Sequence, residues 1–300
     1  MMNSEKTGHR PGVGVIGGGR LGASLAFALL EAGFPLKSIV VRSRSRRQFL
    51  QTIFASSQLR NRITPSFLKE TEILIIAVPD DAIEGMCQHL LHLFELWEGK
   101  YVCHLSGVHS SSHLQGLQEK GAHVFSFHPI LSISSGDPRK VQFAGGYVDI
   151  EGDPQGIALA HQMATALQMH PIEVTPQQKI ALHAAAVMYS NFLVGMAHHI
   201  RAYFKSQKLN TALYWKPFLP LIRSTIANLE KYPPEKALTG PLQRGDVQTI
   251  RKHLDNLQAG GSETLKNFYQ FMSRMLLEMV GDDLPEEKKQ LLEQLLGGKA

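Results

Sequence analysis

A short apolar run, Val13–Ile16, passes straight into the glycine-rich turn "GGGRLG", and no other feature limits the fold as tightly. Gly17, Gly19 and Gly22 stand at G-x-G-x-x-G spacing, and the helix formers "LGASLAFALLEAG" follow, stopping at Gly33. "SIVV" (38–41) supplies a second strand, so the glycines occupy the first turn of a βαβ unit, where a dinucleotide binds. Gly17 permits a tight turn, Gly19 lets backbone approach a pyrophosphate, and Gly22 lets helix and sheet pack closely. Arg20 and Leu21 open the helix, whose unpaired N–H groups and positive dipole end favour phosphate.

About 20 residues beyond such a fingerprint, an NAD site places Asp or Glu to accept from the ribose 2′-hydroxyl. Here Arg42 stands at the strand end, followed by Ser43 and Arg44. A carboxylate repels a 2′-phosphate, whereas guanidiniums and hydroxyls bind one. The expected cofactor is therefore NADP(H). Arg46 and Arg47 are expected to face solvent on the next helix.

The alternation continues. "EILIIAV" reads as a buried strand ending at Val78 and Pro79, with Asp80 or Asp81 as N-cap of an amphipathic helix. "YVCHL" ends at Ser106 and "HVFSF" at His128; "GGYVDI" and "PIEV" extend the sheet around a helix at 153–170. Ligands sit beyond the carboxyl ends of parallel strands, so Gly17, Arg42, Pro79, Ser106 and His128 are expected along one rim. Ser106 reads either as a ligand contact or as a turn former. His128 reads as a proton donor, an anion contact or a structural residue.

After 175 the strand pattern stops. Thr175, Pro176 and Gln178 form a helix start, and the helix to about residue 205 spans about 45 Å. At helical spacing Lys179, His183, Val187, Ser190 and Val194 share one face, with Asn191 beside it. Further helices are expected at 216–231, 247–257, 263–280 and 285–296, with Asp246 and Ser262 as N-caps. A loop, "ALTGPLQRGD" (237–246), carries Arg244. The expected fold is α/β: a Rossmann-type doubly wound, mainly parallel sheet over 1–175, then an all-helical domain over 176–300.

Composition narrows the function. With 43% hydrophobic and 19% charged residues the chain reads as a soluble globular protein. The formal charge of +5 is concentrated in the arginine cluster, which suits a local anion site better than nucleic acid. The fourteen histidines match no metal-ligand spacing, so no metal is expected. Only Cys87 and Cys103 are present, no apolar run approaches the ~18 residues of a membrane span, and the N-terminus lacks an apolar signal region. A cytoplasmic protein without membrane contact is expected.

The arrangement "GVIGGGRLG … VVRSRS … ILIIAVPDDAI … HLSG … FHP … HAAAVMYSNFLV … ALTGP-x-x-RGD" resembles a family of Rossmann-like proteins with a helical C-terminal domain of unknown function. That family is related to pyrroline-5-carboxylate reductase and to the 6-phosphogluconate and β-hydroxyacid dehydrogenases, and the match covers 12–257. It implies an NADP-binding oxidoreductase with a 6-phosphogluconate-dehydrogenase-like C-terminal domain, dimeric through that domain. The β-hydroxyacid dehydrogenases use a Lys and an Asn one turn apart on the long helix. Here Lys179 is followed by His183, with Asn191 two turns beyond, so their acid–base assignment does not carry over.

The resulting expectation is hydride transfer between NADP(H) and a small carbonyl or imine substrate bearing a carboxylate. His183 is the candidate acid and Lys179 its competitor; Ser190 and Asn191 orient the substrate, and Arg244, from either subunit, pairs with its carboxylate. The rival reading is a non-catalytic NADP(H) sensor. A third, a methyl-donor nucleotide, is disfavoured because it carries no 2′-phosphate.

Overall fold

The structure is a computed structural model and describes residues 10–297. Its first strand β1 (Val13–Ile16), helix α1 (Arg20–Glu31) and β2 (Leu36–Val40) form the expected βαβ unit. There follow α2 (Arg44–Leu50), β3 (Leu59–Arg60), α3 (Pro65–Glu70), β4 (Ile73–Ile76), α4 (Ile83–Leu93) and β5 (Tyr101–His104). The sheet is completed by α5 (Gln115–Gln118), β6 (His123–Ile130), β7 (Tyr147–Gly152), α6 (Pro154–Ala166) and β8 (His170–Glu173). The eight-stranded sheet has the order β3-β2-β1-β4-β5-β6-β7-β8. All neighbours run parallel except β6 and β7. This is the Rossmann-type fold, and the fold class read from the sequence holds. The antiparallel pair follows from the connection 131–146, which returns across the sheet without a crossover helix.

Burial on both faces accounts for the unbroken apolar strands. Val15, Ile39, Ile75, Phe125 and Ile150 belong to one core cluster and Ile76, Val102, Val124 and Leu90 to the other. Local rules set the helix ends: Asp153 accepts from the Gly156 amide at 2.8 Å and Thr175 from that of Gln178 at 3.3 Å. Two expected caps fail. Asp80 and Asp81 lie inside a 3-10 turn ahead of α4, and Ser262 makes no side-chain cap bond.

The chain divides into two compact units, one ending at Met188 and one beginning at Tyr189. The division falls inside the long helix, which comprises α7 (Pro176–Ala186), a π-helical segment (Val187–Phe192) and α8 (Leu193–Ser206). Hydrogen bonding to the fifth residue turns the π segment by less per residue than an α-helix. The regular helical spacing assumed for the single face is therefore interrupted at 187–192; Lys179 and His183 lie before the interruption. The whole helix spans 31 residues and is apolar enough, by length and composition alone, to cross a membrane. The expectation that no such segment exists is thus corrected; interspersed polar residues hide it from a count of unbroken apolar runs.

The second unit holds α9 (Leu219–Lys231), α10 (Pro234–Ala237), α11 (Val247–Ala259), α12 (Glu263–Val280) and α13 (Glu286–Leu295). Leu242, Ile250, Leu277, Val280 and Leu292 form its own core. Asp246 caps α11 through the Thr249 amide at 3.1 Å.

Candidate functional site

The glycine turn has the geometry its spacing requires. Gly17 has φ +114°, and a Cβ there would strike the Ala77 carbonyl. A Cβ on Gly22 would lie 2.6 Å from that of Ala77, so α1 packs on the turn only with glycine there. Gly19, by contrast, faces open space, with nothing within 4 Å of a Cβ. The first amides of α1, like those of any helix, have no intrahelical acceptor, and among the described residues no side chain caps them. They line a cleft of about 340 Å³ with Gly19, Arg20, Leu21, Gly22, Val78 and Pro79 around it. An open backbone position beside free helix amides is what a pyrophosphate needs.

Arg42 and Arg44 are exposed, as are Ser43 and Ser45. Ser43 caps α2, accepting from the Arg46 amide at 3.3 Å. Arg46 and Arg47 do not simply face solvent. Arg47 donates to the Val41 carbonyl at 3.1 Å, and Arg46 donates to Gly18 (2.7 Å), Gly19 (3.3 Å) and Gly136 (2.6 Å). Sequence separation concealed the Arg46 bonds, because Gly18, Gly19 and Gly136 lie 28, 27 and 90 residues away.

Beyond the cleft, one face of the sheet carries buried polar residues in register. His104, Ser126 and Glu151 are neighbours across β5, β6 and β7, and His128 pairs with Asp149 in the next row. His128 therefore lies inside β6 rather than at its end; Pro129 did not stop the strand because β7 continues the pairing to Ile130. Asp149 is fully buried and accepts from His128 Nδ1 at 2.6 Å and from the equally buried Lys179 Nζ. Such a pair endures burial because the two charges meet and Asp149 accepts from a further donor, His128.

With Nδ1 held by Asp149, His128 turns Nε2 toward His183; the two rings lie edge to face with centroids 5.5 Å apart. His183 Nδ1 is buried and, among the described residues, has no hydrogen-bond partner. Burial first, and His128 second, lower the His183 pKa, while Asp80 and Asp149 oppose the shift. Both rings pack on Gly107. A Cβ there would overlap His183 Nδ1 and lie 2.8 and 2.9 Å from His128 Cε1 and Nε2. Gly107→Ala is accordingly expected to cost the ~1–3 kcal/mol of an overpacked core, read by thermal denaturation. Removing the His183 ring as well should restore part of that loss.

The loop bearing Gly107 is fixed from below. His104 donates from Nε2 to the Ser110 carbonyl at 3.0 Å and accepts the Ser106 amide at Nδ1 at 3.3 Å. Burial pushes the His104 pKa down to about 4, which keeps the ring neutral and this tautomer in place. Ser106 Oγ accepts the Val108 and His109 amides at 3.2 and 3.0 Å, so Ser106 forms the turn, leaving only its hydroxyl proton for a ligand. Glu151, also buried, accepts from the Ser111 hydroxyl at 2.9 Å.

Of the residues marked by the sequence, the structure brings Lys179, His183 and His128 together. Ser190, Asn191 and Arg244 belong to the second unit; Asn191 and Arg244 are exposed. Sequence reasoning missed Asp149, Gly107 and Arg46. Only Asp149 carried a usable signal, as an acid in the otherwise apolar strand "YVDI". Among the described residues no cluster of His, Cys, Asp and Glu is placed to hold a metal ion.

Residues 2–129 match the Rossmann-like domain, and residues 147–276 match the domain of unknown function DUF2520. His128 and Gly107 thus come from the first match and Asp149, Lys179 and His183 from the second. No curated protein matches the chain. Among solved structures, a candidate NADP oxidoreductase from Bacteroides fragilis is similar at 24% identity, covering 90% of this chain and 99% of its own, with TM-score 0.70. An imine reductase from Myxococcus stipitatus in complex with NADP+ is similar at 15% identity, covering 95% and 100%, with TM-score 0.67. A reductive aminase from Aspergillus terreus in complex with NADPH4, cyclohexanone and allyl amine is similar at 15%, covering 95% and 99%, with TM-score 0.64. The fold and the glycine turn agree with both matches: a Rossmann-type sheet unit similar to the Rossmann-like domain precedes a helical region similar to the DUF2520 domain.

Proposed function

We propose that the protein is an NADP(H)-dependent oxidoreductase acting on a small carbonyl or imine substrate that bears a carboxylate. The single observation that carries the reading is His183 Nδ1, buried beside His128 and without a hydrogen-bond partner among the described residues. A binding-only protein has no use for such an atom, because a buried nitrogen without a partner costs stability. The similar structures are named as imine reductases and a reductive aminase with nicotinamide cofactors, which supports the same class. One of them, a variant of the Myxococcus stipitatus imine reductase, is in complex with NAD+, so the choice of NADP(H) rests on Arg42 and Arg44.

When bound, the nicotinamide supplies the hydride. This chain's part is to hold the dinucleotide on the amides of Gly19 to Gly22 and to move one proton. His183 delivers that proton in reduction and receives it in oxidation. Lys179 is not the acid in this scheme: its ammonium is buried against Asp149, which orients His128 behind His183. Ser190, Asn191 and Arg244 remain the proposed substrate contacts, with Arg244 on the carboxylate.

A homodimer through the helical domain completes the proposal. Tyr189, Phe192 and Val194 are 82%, 60% and 69% exposed on the long helix. A second copy suits this surface better than lipid does, because Ser190 and Asn191 interrupt it. Both cysteines are free, which fits the cytoplasm.

Titration with NADPH and NADH, followed by nicotinamide fluorescence, tests the reading. Arg42→Asp should weaken NADPH by about 10- to 100-fold, the worth of a charge-assisted contact, without weakening NADH. Equal affinity for both cofactors in the unaltered protein overturns the 2′-phosphate assignment. Tight binding without turnover across a panel of carbonyls and imines would instead support the sensor.

A further inference from the structure

We propose that Arg46 is a positioning residue of the dinucleotide site, which fixes the glycine turn from behind and takes no part in recognising the 2′-phosphate. The inference rests on the reading of the cleft as a dinucleotide site. Arg46 lies in the same basic cluster as Arg42 and Arg44, yet each of its three nitrogens already donates to a backbone carbonyl. Nε donates to Gly18 at 2.7 Å, Nη2 to Gly19 at 3.3 Å and Nη1 to Gly136 at 2.6 Å.

The direction of these bonds matters more than their number. A trans peptide is planar, so its carbonyl and its N–H point opposite ways. Turning the Gly18 and Gly19 carbonyls toward Arg46 turns the Gly19 and Arg20 amides away from it. Those are the amides beside the open position at Gly19, where nothing lies within 4 Å of a Cβ. A cation at the carbonyl end of each peptide also strengthens the opposite N–H as a donor. Glycine has the widest choice of backbone conformations, so three glycines in a row need an external constraint to hold one. Arg46 supplies it.

The third bond extends the constraint. Gly136 stands at the tip of the 131–143 connection, whose Leu131, Ile133 and Val141 pack on the sheet core and whose Phe143 is buried. At that tip Asp137 caps a 3-10 turn and holds Arg139 at 3.0 and 2.8 Å. Arg46 thereby ties this connection to the glycine turn, also covering the Phe49 ring at 5.2 Å. Lysine cannot reproduce the arrangement, because a single ammonium cannot span three carbonyls in a planar fork.

Arg46→Met, Arg46→Lys and Arg42→Ala, each titrated with NADPH and NADH, test the proposal. Arg46→Met should weaken both dinucleotides by the same factor, about 10-fold or more. Arg46→Lys should recover little of it, while Arg42→Ala should weaken NADPH alone. Amide exchange at 18–21 and tryptic cleavage after Arg139 or Lys140 should both accelerate in Arg46→Met without ligand. A loss confined to NADPH, full rescue by lysine, or unchanged affinity overturns the proposal; so does unchanged exchange. Should the unaltered protein bind neither dinucleotide, the functional reading falls, and the exchange rates alone decide whether Arg46 orders the turn. Arg46→Gln serves as the milder variant if methionine impairs folding.

Discussion

His183→Ala is expected to slow reduction of a substrate found by the screen by about 10²- to 10⁴-fold, the usual worth of a positioned acid, and to leave NADPH affinity unchanged. The sign of the pH dependence follows from the surroundings of the ring. Burial and His128 hold His183 below the ordinary imidazole range. Its proton is therefore lost as the pH rises through that lowered value, and reduction should slow across the same interval. Oxidation needs the neutral ring as acceptor and should keep its rate above that pH. Profiles of kcat/KM in the two directions would thus diverge on one limb, and His183→Ala should remove that limb from both. Full turnover by the alanine variant, or a limb that survives it, would remove His183 from the chemistry.

How far these features were legible depended on how local their causes are. The glycine turn was readable because its spacing and its place between β1 and α1 are local: Gly17 takes a φ of +114° and Gly22 lies against the Gly17 carbonyl, although both also meet Ala77 from beyond the unit. Helix starts at Thr175 and Asp153 were readable for the same reason, since a cap reaches only three residues ahead. Arg46 was not readable. Its partner Gly136 lies 90 residues away, and from the sequence it is one more basic residue on a short helix. His128 was placed at a strand end because Pro129 looked like a stop, whereas the antiparallel partner that carries β6 onward is visible only in the sheet. The π segment at 187–192 escaped altogether, because a sequence projected at helical spacing assumes the very repeat that the segment breaks. Two candidate contacts, Ser190 and Asn191, were chosen from that projection.

The buried pair beneath the histidines sets the other large effect. Lys179→Met should destabilise the protein by about 3–5 kcal/mol, because it leaves the fully buried Asp149 without its counter-charge. Asp149→Asn should cost a comparable amount by stranding the Lys179 ammonium instead. The double variant Lys179→Met/Asp149→Asn should be more stable than either single one, since it removes both charges together. Denaturant unfolding of the four proteins gives the coupling directly, and two groups in contact should show a large one. Simple additivity would mean that the side chains do not depend on each other. Activity separates positioning from stability. Asp149 holds His128 by Nδ1 at 2.6 Å, so the double variant, although folded, frees the ring that backs His183. It should bind NADPH normally and still turn over slowly. A double variant with full turnover would reduce the pair to a structural contact and leave His183 to act without His128.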